Sequence, residues 1–314
     1  MTTKVRARLS LSAAGVLASM LTIWGSPASA AQKSSLPAFP PGLTIGTAAG
    51  TIPPDPGIYL TEKTFYTSIQ VVDGNGHDTG AHINSYATIP IVQIVPGWKV
   101  LGADYAFQFD SYGIFDAKIK FPAAAHLPSY NTVGASDLAI RPIILSWKLP
   151  DHLFFAIREG VYVPVGTYDP IRPLSISHNR YTFEQGLALS YVEKNKWVLS
   201  ANGVIDVNAN NPSTLLNGVD VKYRSGSTYN VDLTALRAIG RLQVGPVGYY
   251  YHQFSSDVGP AALNQGVPTE GAAGMLIGYT FPKVYVNVYA VQDISARNVG
   301  KQSRFWFTIA LPIL

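Results

Sequence analysis

Tyr181-Thr182-Phe183-Glu184-Gln185-Gly186-Leu187-Ala188-Leu189-Ser190-Tyr191 alternates bulky, mostly apolar side chains with small or polar ones. Successive side chains of a β-strand point to opposite faces, so this stretch reads as a strand with one large apolar face and one small polar face. Two more stretches repeat it. Leu101, Ala103, Tyr105, Phe107 and Phe109 oppose Gly102, Asp104, Ala106, Gln108 and Asp110; Trp197, Leu199, Ala201, Ile205 and Val207 oppose Lys196, Ser200, Asn202, Asp206 and Asn208. In a soluble sandwich the apolar face turns to a core, whereas in a membrane barrel it turns to lipid, and the pattern alone fits both.

Context decides between them. Twelve strand-like stretches follow one another through the chain, joined by connections that alternate in length. Short turns fall at Pro96–Trp98, Pro150–Asp151, Lys194–Asn195, Gly240–Arg241 and Pro282; longer loops are expected near 73–81, 113–134, 167–180, 209–227, 257–269 and 295–302. An even strand number, tight turns on one side and longer loops on the other describe an outer-membrane β-barrel, here all-β and antiparallel with periplasmic N- and C-termini. Strand lengths of ~10–13 residues suit a tilted span. Trp98, Trp147 and Trp197 lie close to short turns, where indole rings would sit at headgroup depth as an interfacial girdle.

The chain's first residues agree with export. Lys4, Arg6 and Arg8 precede an apolar run from Leu9 to Ile23 and the small residues Ala28-Ser29-Ala30. This predicts a signal peptide over 1–30, cleaved after Ala30, because the run is shorter than the ~20 residues a spanning helix needs. No later apolar run approaches that length. Three of the positive charges behind the formal +4 belong to this segment, and no Lys/Arg cluster follows Arg8, so nucleic acid is not an expected partner. Only 13% of residues are charged, against roughly a quarter in soluble proteins, as expected for a chain with one face in lipid. The absence of cysteine excludes disulfides and a lipid-modified cysteine.

Several segments resemble the outer-membrane proteins related to the meta-pathway phenol-degradation protein, the SphA-like proteins. Pro53-Pro54-Asp55-Pro56-Gly57-Ile58-Tyr59 resembles that family's Pro-rich lead into its first strand. Ser136-Asp137-Leu138 with Pro142-Ile143 and Leu145-Ser146-Trp147, then Val163-Pro164-Val165-Gly166-Thr167-Tyr168, are similar to two of its strands, with Val165 in place of the usual Thr. Tyr223-Arg224-Ser225-Gly226 and Tyr249-Tyr250-Tyr251-His252-Gln253, with Asp257 beyond, resemble its Ser-Gly and Tyr-x-x-Gln…Asp segments. The chain departs from common barrel practice by ending Leu311-Pro312-Ile313-Leu314 rather than on an aromatic residue, although Phe305, Phe307, Ile309, Leu311 and Ile313 still alternate as a closing strand. The resemblance implies uptake of hydrophobic or aromatic compounds destined for catabolism, with outer-membrane lipid and a small apolar ligand as partners.

Three units are expected: the signal at 1–30, a Pro-rich segment at 31–56 that either enters the lumen as a plug or trails as a periplasmic tail, and the barrel at 57–314. Candidate lumen residues are Asp104, Asp110, Asp137, Arg141, Glu184, Asn202 and Gln253, each on a small or polar face or in a family-like segment. A structural network of ion pairs and hydrogen bonds is the competing account of these residues, since buried polar groups need partners whatever the function. The loop from Asp116 to Gly134 is the longest expected external segment and could fold inward as a constriction. Glu159 falls on the apolar face of Leu153, Phe155, Ile157, Val161, Val163 and Val165, so a β-bulge that turns it inward is expected; left outward, it suggests a homo-oligomer contact.

No catalytic residue, cofactor or metal is expected. Ser175, Ser177 and His178-Asn179 are the only local suggestion of a hydrolase, and residues so close in one loop rarely form a triad. His77, Asp78 and His82 lack a full ligand set, and Gly74 and Gly76 with Gly80 read as hairpin chemistry. The leading expectation is a channel without chemistry of its own. Behind it stand a structural or adhesive barrel with partner-binding loops and, last, a barrel lipid hydrolase.

Overall fold

The computed structural model describes residues 37–72, 75, 77–111, 113–170, 174–216, 219–260, 262 and 266–314. The signal assigned to 1–30, its cleavage after Ala30, and Gly74 and Gly76 lie outside the described residues. Chain order begins with β1 (Gly57–Val72), β2 (Asp78–Val95), the short β3 (Lys99–Val100), β4 (Ala103–Asp110), β5 (Ile114–Lys120) and β6 (Tyr130–Gly134). Next come β7 (Leu138–Lys148), β8 (Leu153–Val163), β9 (Thr182–Glu193), β10 (Trp197–Asn208), β11 (Asn211–Leu216) and β12 (Val219–Tyr223). The last five are β13 (Thr228–Ile239), β14 (Leu242–Gln253), β15 (Thr269–Thr280), β16 (Tyr285–Arg297) and β17 (Lys301–Pro312).

Neighbours in sequence pair antiparallel around a ring that closes where β17 meets β1, from Tyr59 opposite Pro312 to Gln70 opposite Lys301. The wall is a closed barrel of twelve strand positions. Its third position is shared by β4 and β5, and its fourth by β6, which pairs with β5, and β7, which pairs with β4. β11 and β12 form a separate hairpin within one loop. Closure pairs every strand position of the ring on both sides, the condition for strands to live in lipid, while β6 pairs with β5 alone.

Burial follows the alternation. In β9, Thr182, Glu184, Gly186, Ala188 and Ser190 are buried while Phe183, Leu187 and Leu189 are exposed on the outer face. β10, β13 and β17 repeat this, so the outer surface carries Ile205, Val207, Leu233 and Phe305 and the interior carries Asn202, Asp206, Asp232 and Arg304. Trp98, Trp147 and Trp197 all lie at the short-turn end. Trp98 stacks on Tyr105 at 5.7 Å, Trp147 on Phe155 at 5.8 Å, and Arg237 lies over Trp197 at 5.1 Å.

Four expectations are corrected. First, Asp116–Gly134 is not a long loop: β5 pairs along the upper half of β2, from Thr88 opposite Ile114 to His82 opposite Lys120, and β6 folds back on β5, leaving 121–129 as the tip. Second, the stretch 209–227 contains the β11–β12 hairpin. Third, the connection expected at 295–302 is only 298–300, because β16 and β17 extend towards each other with Asn298 in the left-handed conformation at φ 54°.

The fourth concerns Glu159. It faces outward and is exposed, opposite Ile143 on β7 and Gln185 on β9, and β8 pairs with β9 without irregularity. The register shift sits instead in β7, between Ile140 and Ile143. Pro142 within it has no N–H to give to a ladder, so the extra residue falls there. Glu62 is a second outward carboxylate, opposite Pro90 on β2. We predict that Glu159→Leu stabilises the barrel by on the order of 1 kcal/mol, because a carboxylate on the lipid face near mid-span is costly. A urea midpoint in lipid vesicles checks this; a lower midpoint would mean that the carboxylate has a partner on that face.

Candidate functional site

The lumen is filled by the chain's own residues 37–52. Their sequence, rich in Pro, Gly and Thr, favours consecutive turns, and Leu43, Ile45, Thr47 and Thr51 each donate their N–H to the carbonyl three residues earlier at 2.8–3.1 Å. Strand side chains hold what these turns leave over. Carboxylates take the free N–H groups: Phe39 N–H donates to Asp206 at 3.0 Å, and Gly42 and Thr44 N–H donate to Asp232 at 2.8 and 2.9 Å. Cations and a phenol take the carbonyls: Lys63 donates to Ile45 O at 3.2 Å, Arg158 to Ala49 O at 3.1 Å, Tyr289 to Gly42 O at 2.7 Å and Arg304 to Pro41 O at 2.5 Å. Serines complete the set, with Ala49 N–H to Ser200 at 3.0 Å, Gly50 N–H to Ser190 at 2.9 Å, and Ser146 to Gly50 O at 2.8 Å.

Two glycines let the segment lie so close. Gly46 has φ +81°, and a Cβ there would meet Leu276 at 2.7 Å; a Cβ on Gly50 would meet Phe154 O at 2.7 Å and Ser190 N at 2.9 Å. Apolar contacts add to the polar ones, since Phe39, Leu43 and Ile45 are buried with Phe65, Tyr289 and Trp306 in one cluster. Trp306 stacks on Tyr289 at 5.6 Å, and Lys63 Nζ sits 5.7 and 5.8 Å from the centres of those two rings.

Beside the segment stands an ionic cluster. Arg141 donates through Nε and Nη2 to Glu184 at 2.6 Å each, through Nη1 to Asp110, and through Nη2 to Tyr162 at 2.9 Å. The Tyr162 hydroxyl in turn donates to Glu184 at 3.0 Å. All four side chains are buried. A guanidinium forked on one carboxylate and bonded to a second is the arrangement that makes a buried ion pair tolerable. Across the barrel a second network joins Tyr249 to Glu270 and Asp293, with Asp293 at 2.9 Å, and Gln302 to Glu270 at 3.0 Å, while Arg304 bonds to Gln302 at 2.7 and 2.9 Å.

Of the candidate lumen residues, Asp110, Arg141 and Glu184 meet in the first cluster. Asn202 is buried against the inner segment, donating to Thr44 Oγ1 at 3.1 Å. Asp137 lies at the break between β6 and β7, where it accepts from the Ser177 hydroxyl and from His178 N–H at 2.9 Å. Burial alone would push the Asp137 carboxyl up; the hydrogen bonds and charge of His178, with the Ser177 hydroxyl, outweigh it and hold the group below its ordinary value. Gln253 bonds to Asp257 at 2.8 Å at the long-loop end, and Asp104 is half exposed at the short-turn end, paired with Lys99. Neither joins the buried clusters.

Ser177, His178 and Asp137 come together without forming a hydrolytic relay. A triad needs the serine hydroxyl to donate to the histidine and the histidine to the carboxylate. Here the Ser177 hydroxyl and the His178 backbone N–H both end on Asp137. Among the described residues no group of three metal-ligating side chains forms.

Sequence reading placed Asp206 on a polar face without naming it as a lumen candidate, and left Lys63, Asp232, Glu270, Asp293, Arg304 and Trp306 unassigned. A signal for the last two was present: the outward run of Phe305, Phe307 and Ile309 forces Arg304, Trp306 and Thr308 inward. Lys63 gave none, because β1 is mixed on both faces.

A narrow cleft opens between the inner segment and the wall where β4 gives way to β5 and β6 to β7. It is lined by Ala38, Leu43, Ile89, Asp110, Asp137 and Tyr162 among others, and is wide enough for about one water molecule.

The COG4313 outer membrane channel from Pseudomonas putida F1 has a similar fold, with a TM-score of 0.69 at 12% identity over 83% of this chain and 96% of that one. The Pseudomonas putida toluene transporter TodX superposes less well, with a TM-score of 0.42 at 11% identity over 90% of this chain and 96% of that one. At such identities the likeness speaks for the fold alone. No curated protein is matched by the sequence. The family model described as putative MetA-pathway of phenol degradation matches residues 68–309, and the chain, a closed barrel of the outer-membrane type, belongs to that family.

Proposed function

We propose that this barrel is an outer-membrane channel through which small hydrophobic or aromatic compounds bound for catabolism enter the cell, and that residues 37–52 are its plug. The observation that carries the reading is the way that segment is held. Its ties are noncovalent, spread over β1, β7, β8, β9, β10, β13, β16 and β17, and directed at its backbone, so it can leave as one piece. A barrel whose only task was structural would have no use for a removable core. In this reading the short turns and both termini face the periplasm, Trp98, Trp147 and Trp197 sit at that interface, and no chemistry is performed.

The test is uptake of labelled phenol, benzoate and an alkane by cells with and without the gene, with heat-dependent gel mobility used to show that the barrel is folded. Faster entry of any of the three is expected. Equal entry of all three, from a folded barrel, would leave the structural or adhesive reading in its place.

A further inference from the structure

The upper lumen contains a buried guanidinium with two unbonded nitrogens, those of Arg180. Arg180 lies two residues before β9 and continues its inward phase, buried like Thr182 and Glu184 while Tyr181 between them is exposed. It is 3% exposed, and its Nε and Nη1 are buried with no hydrogen-bond partner. Arg141, Arg158 and Arg304, the other guanidinium groups of the lumen, all bond to carboxylates or carbonyls. Leaving guanidinium nitrogens buried without a hydrogen bond is costly.

Below it, β10 and β13 present the opposite defect. Asp206 Oδ1, Asn202 Oδ1 and Asn230 Oδ1 are buried acceptors without a donor, on adjacent strands in which Asp206 faces Thr228 and Val204 faces Asn230. Tyr223, Asp137, Tyr251 and Asp206 all lie close enough to Arg180 to act on its charge, yet none accepts a hydrogen bond from its Nε or Nη1. Donors in want of an acceptor thus stand above acceptors in want of a donor, beside aromatic surface.

We infer that this is a ligand subsite for the hydroxyl group of an uncharged apolar solute. The inference rests on the channel reading and narrows its substrate class. A hydroxyl oxygen accepts from Arg180 while its proton goes to Asp206 Oδ1, and further along the wall the same proton suits Asn230 or Asn202. A hydrocarbon can satisfy none of these groups. A carboxylate could accept from Arg180 but brings no proton for the oxygens below, and it enters a lumen whose buried Asp and Glu side chains outnumber Lys63, Arg141, Arg158, Arg180 and Arg304. Water has the right donors and acceptors too, and is what an incoming hydroxyl would displace.

Three probes with one ring separate these cases: benzyl alcohol, toluene and benzoate, titrated calorimetrically into purified full-length protein in detergent. Benzyl alcohol is expected to bind about tenfold or more tightly than toluene, the size of effect a hydrogen bond to a charged group gives. In Arg180→Met that advantage should vanish while toluene affinity changes little. Because Arg180 Nε and Nη1 make no hydrogen bond that the variant would break, the variant should still fold. Tightest binding by benzoate in the parent protein would overturn the hydroxyl assignment in favour of an anion site, whether or not the variant folds. Equal binding of alcohol and toluene would mean that water alone serves these groups. In either of those two cases faster cellular uptake of a solute would leave the channel reading standing, whereas equal uptake with and without the gene would remove both.

Discussion

Deleting residues 37–52 is expected to turn a barrel that passes no measurable current in a planar bilayer into one that conducts steadily. The segment fills the lumen from Phe39, bonded to Asp206, to Gly50, wedged against Phe154 O and Ser190, and it covers the aromatic cluster of Phe65, Tyr289 and Trp306. Its removal leaves a ring of carboxylates, guanidinium groups and serines that water can solvate. The interior of a conducting barrel is polar in the same way. The wall itself should survive, because none of its strand pairings involves the deleted residues and β1 begins at Gly57. Gly50→Val is the single-residue counterpart: its side chain has no room, so it should push the last turn of the segment from the wall and give brief openings. A deleted barrel that is folded and still closed would show that strand side chains, rather than the segment, block the path.

The second large effect is expected at Arg141. Replacing it by Met strands Glu184, Asp110 and the Tyr162 hydroxyl in a buried setting, and the cost of breaking a buried pair from one side is about 3–5 kcal/mol. The urea midpoint of the folded barrel in micelles should fall accordingly. Neutralising the carboxylates as well, in Arg141→Met with Asp110→Asn and Glu184→Gln, should restore most of the loss, since the penalty lies in uncompensated charge rather than in missing attraction. A loss below about 1 kcal/mol in the single variant would mean that water reaches the cluster and screens it.

Much of the wall was legible because lipid imposes a two-residue period on any strand with one apolar face, and β9, β10 and β17 carry it without interruption. Asp110, Arg141 and Glu184 could be read as inward for the same reason. What a strand's period cannot convey is which inward groups meet, because that depends on shear and on how the chain closes. Asp206 and Asn202 share a face in sequence, yet one holds Phe39 and the other Thr44. The breaks in the third and fourth strands were hidden by the same limit: Pro90 and Pro142 are visible as residues without an N–H, but the splitting of β4 from β5 is a property of β2, which pairs with both. Glu159 shows the converse. Its outward place was read from the pattern, and the supposed repair by a bulge failed because the bulge belongs to the neighbouring strand.

The residues that fill the lumen run directly into β1, and β1 is also the strand that meets β17 to shut the ring, with Ile58 N–H bonded to Leu314 O at 3.0 Å and Ile313 N–H to Ile58 O at 2.7 Å. Contacts such as Phe39 with Asp206 and Pro41 with Arg304 span 167 and 263 positions of sequence. They cannot form before the middle and end of the chain have arrived. A segment joined to the closing strand is therefore brought to the lumen by closure itself, and the order of assembly is written into which strand does the closing.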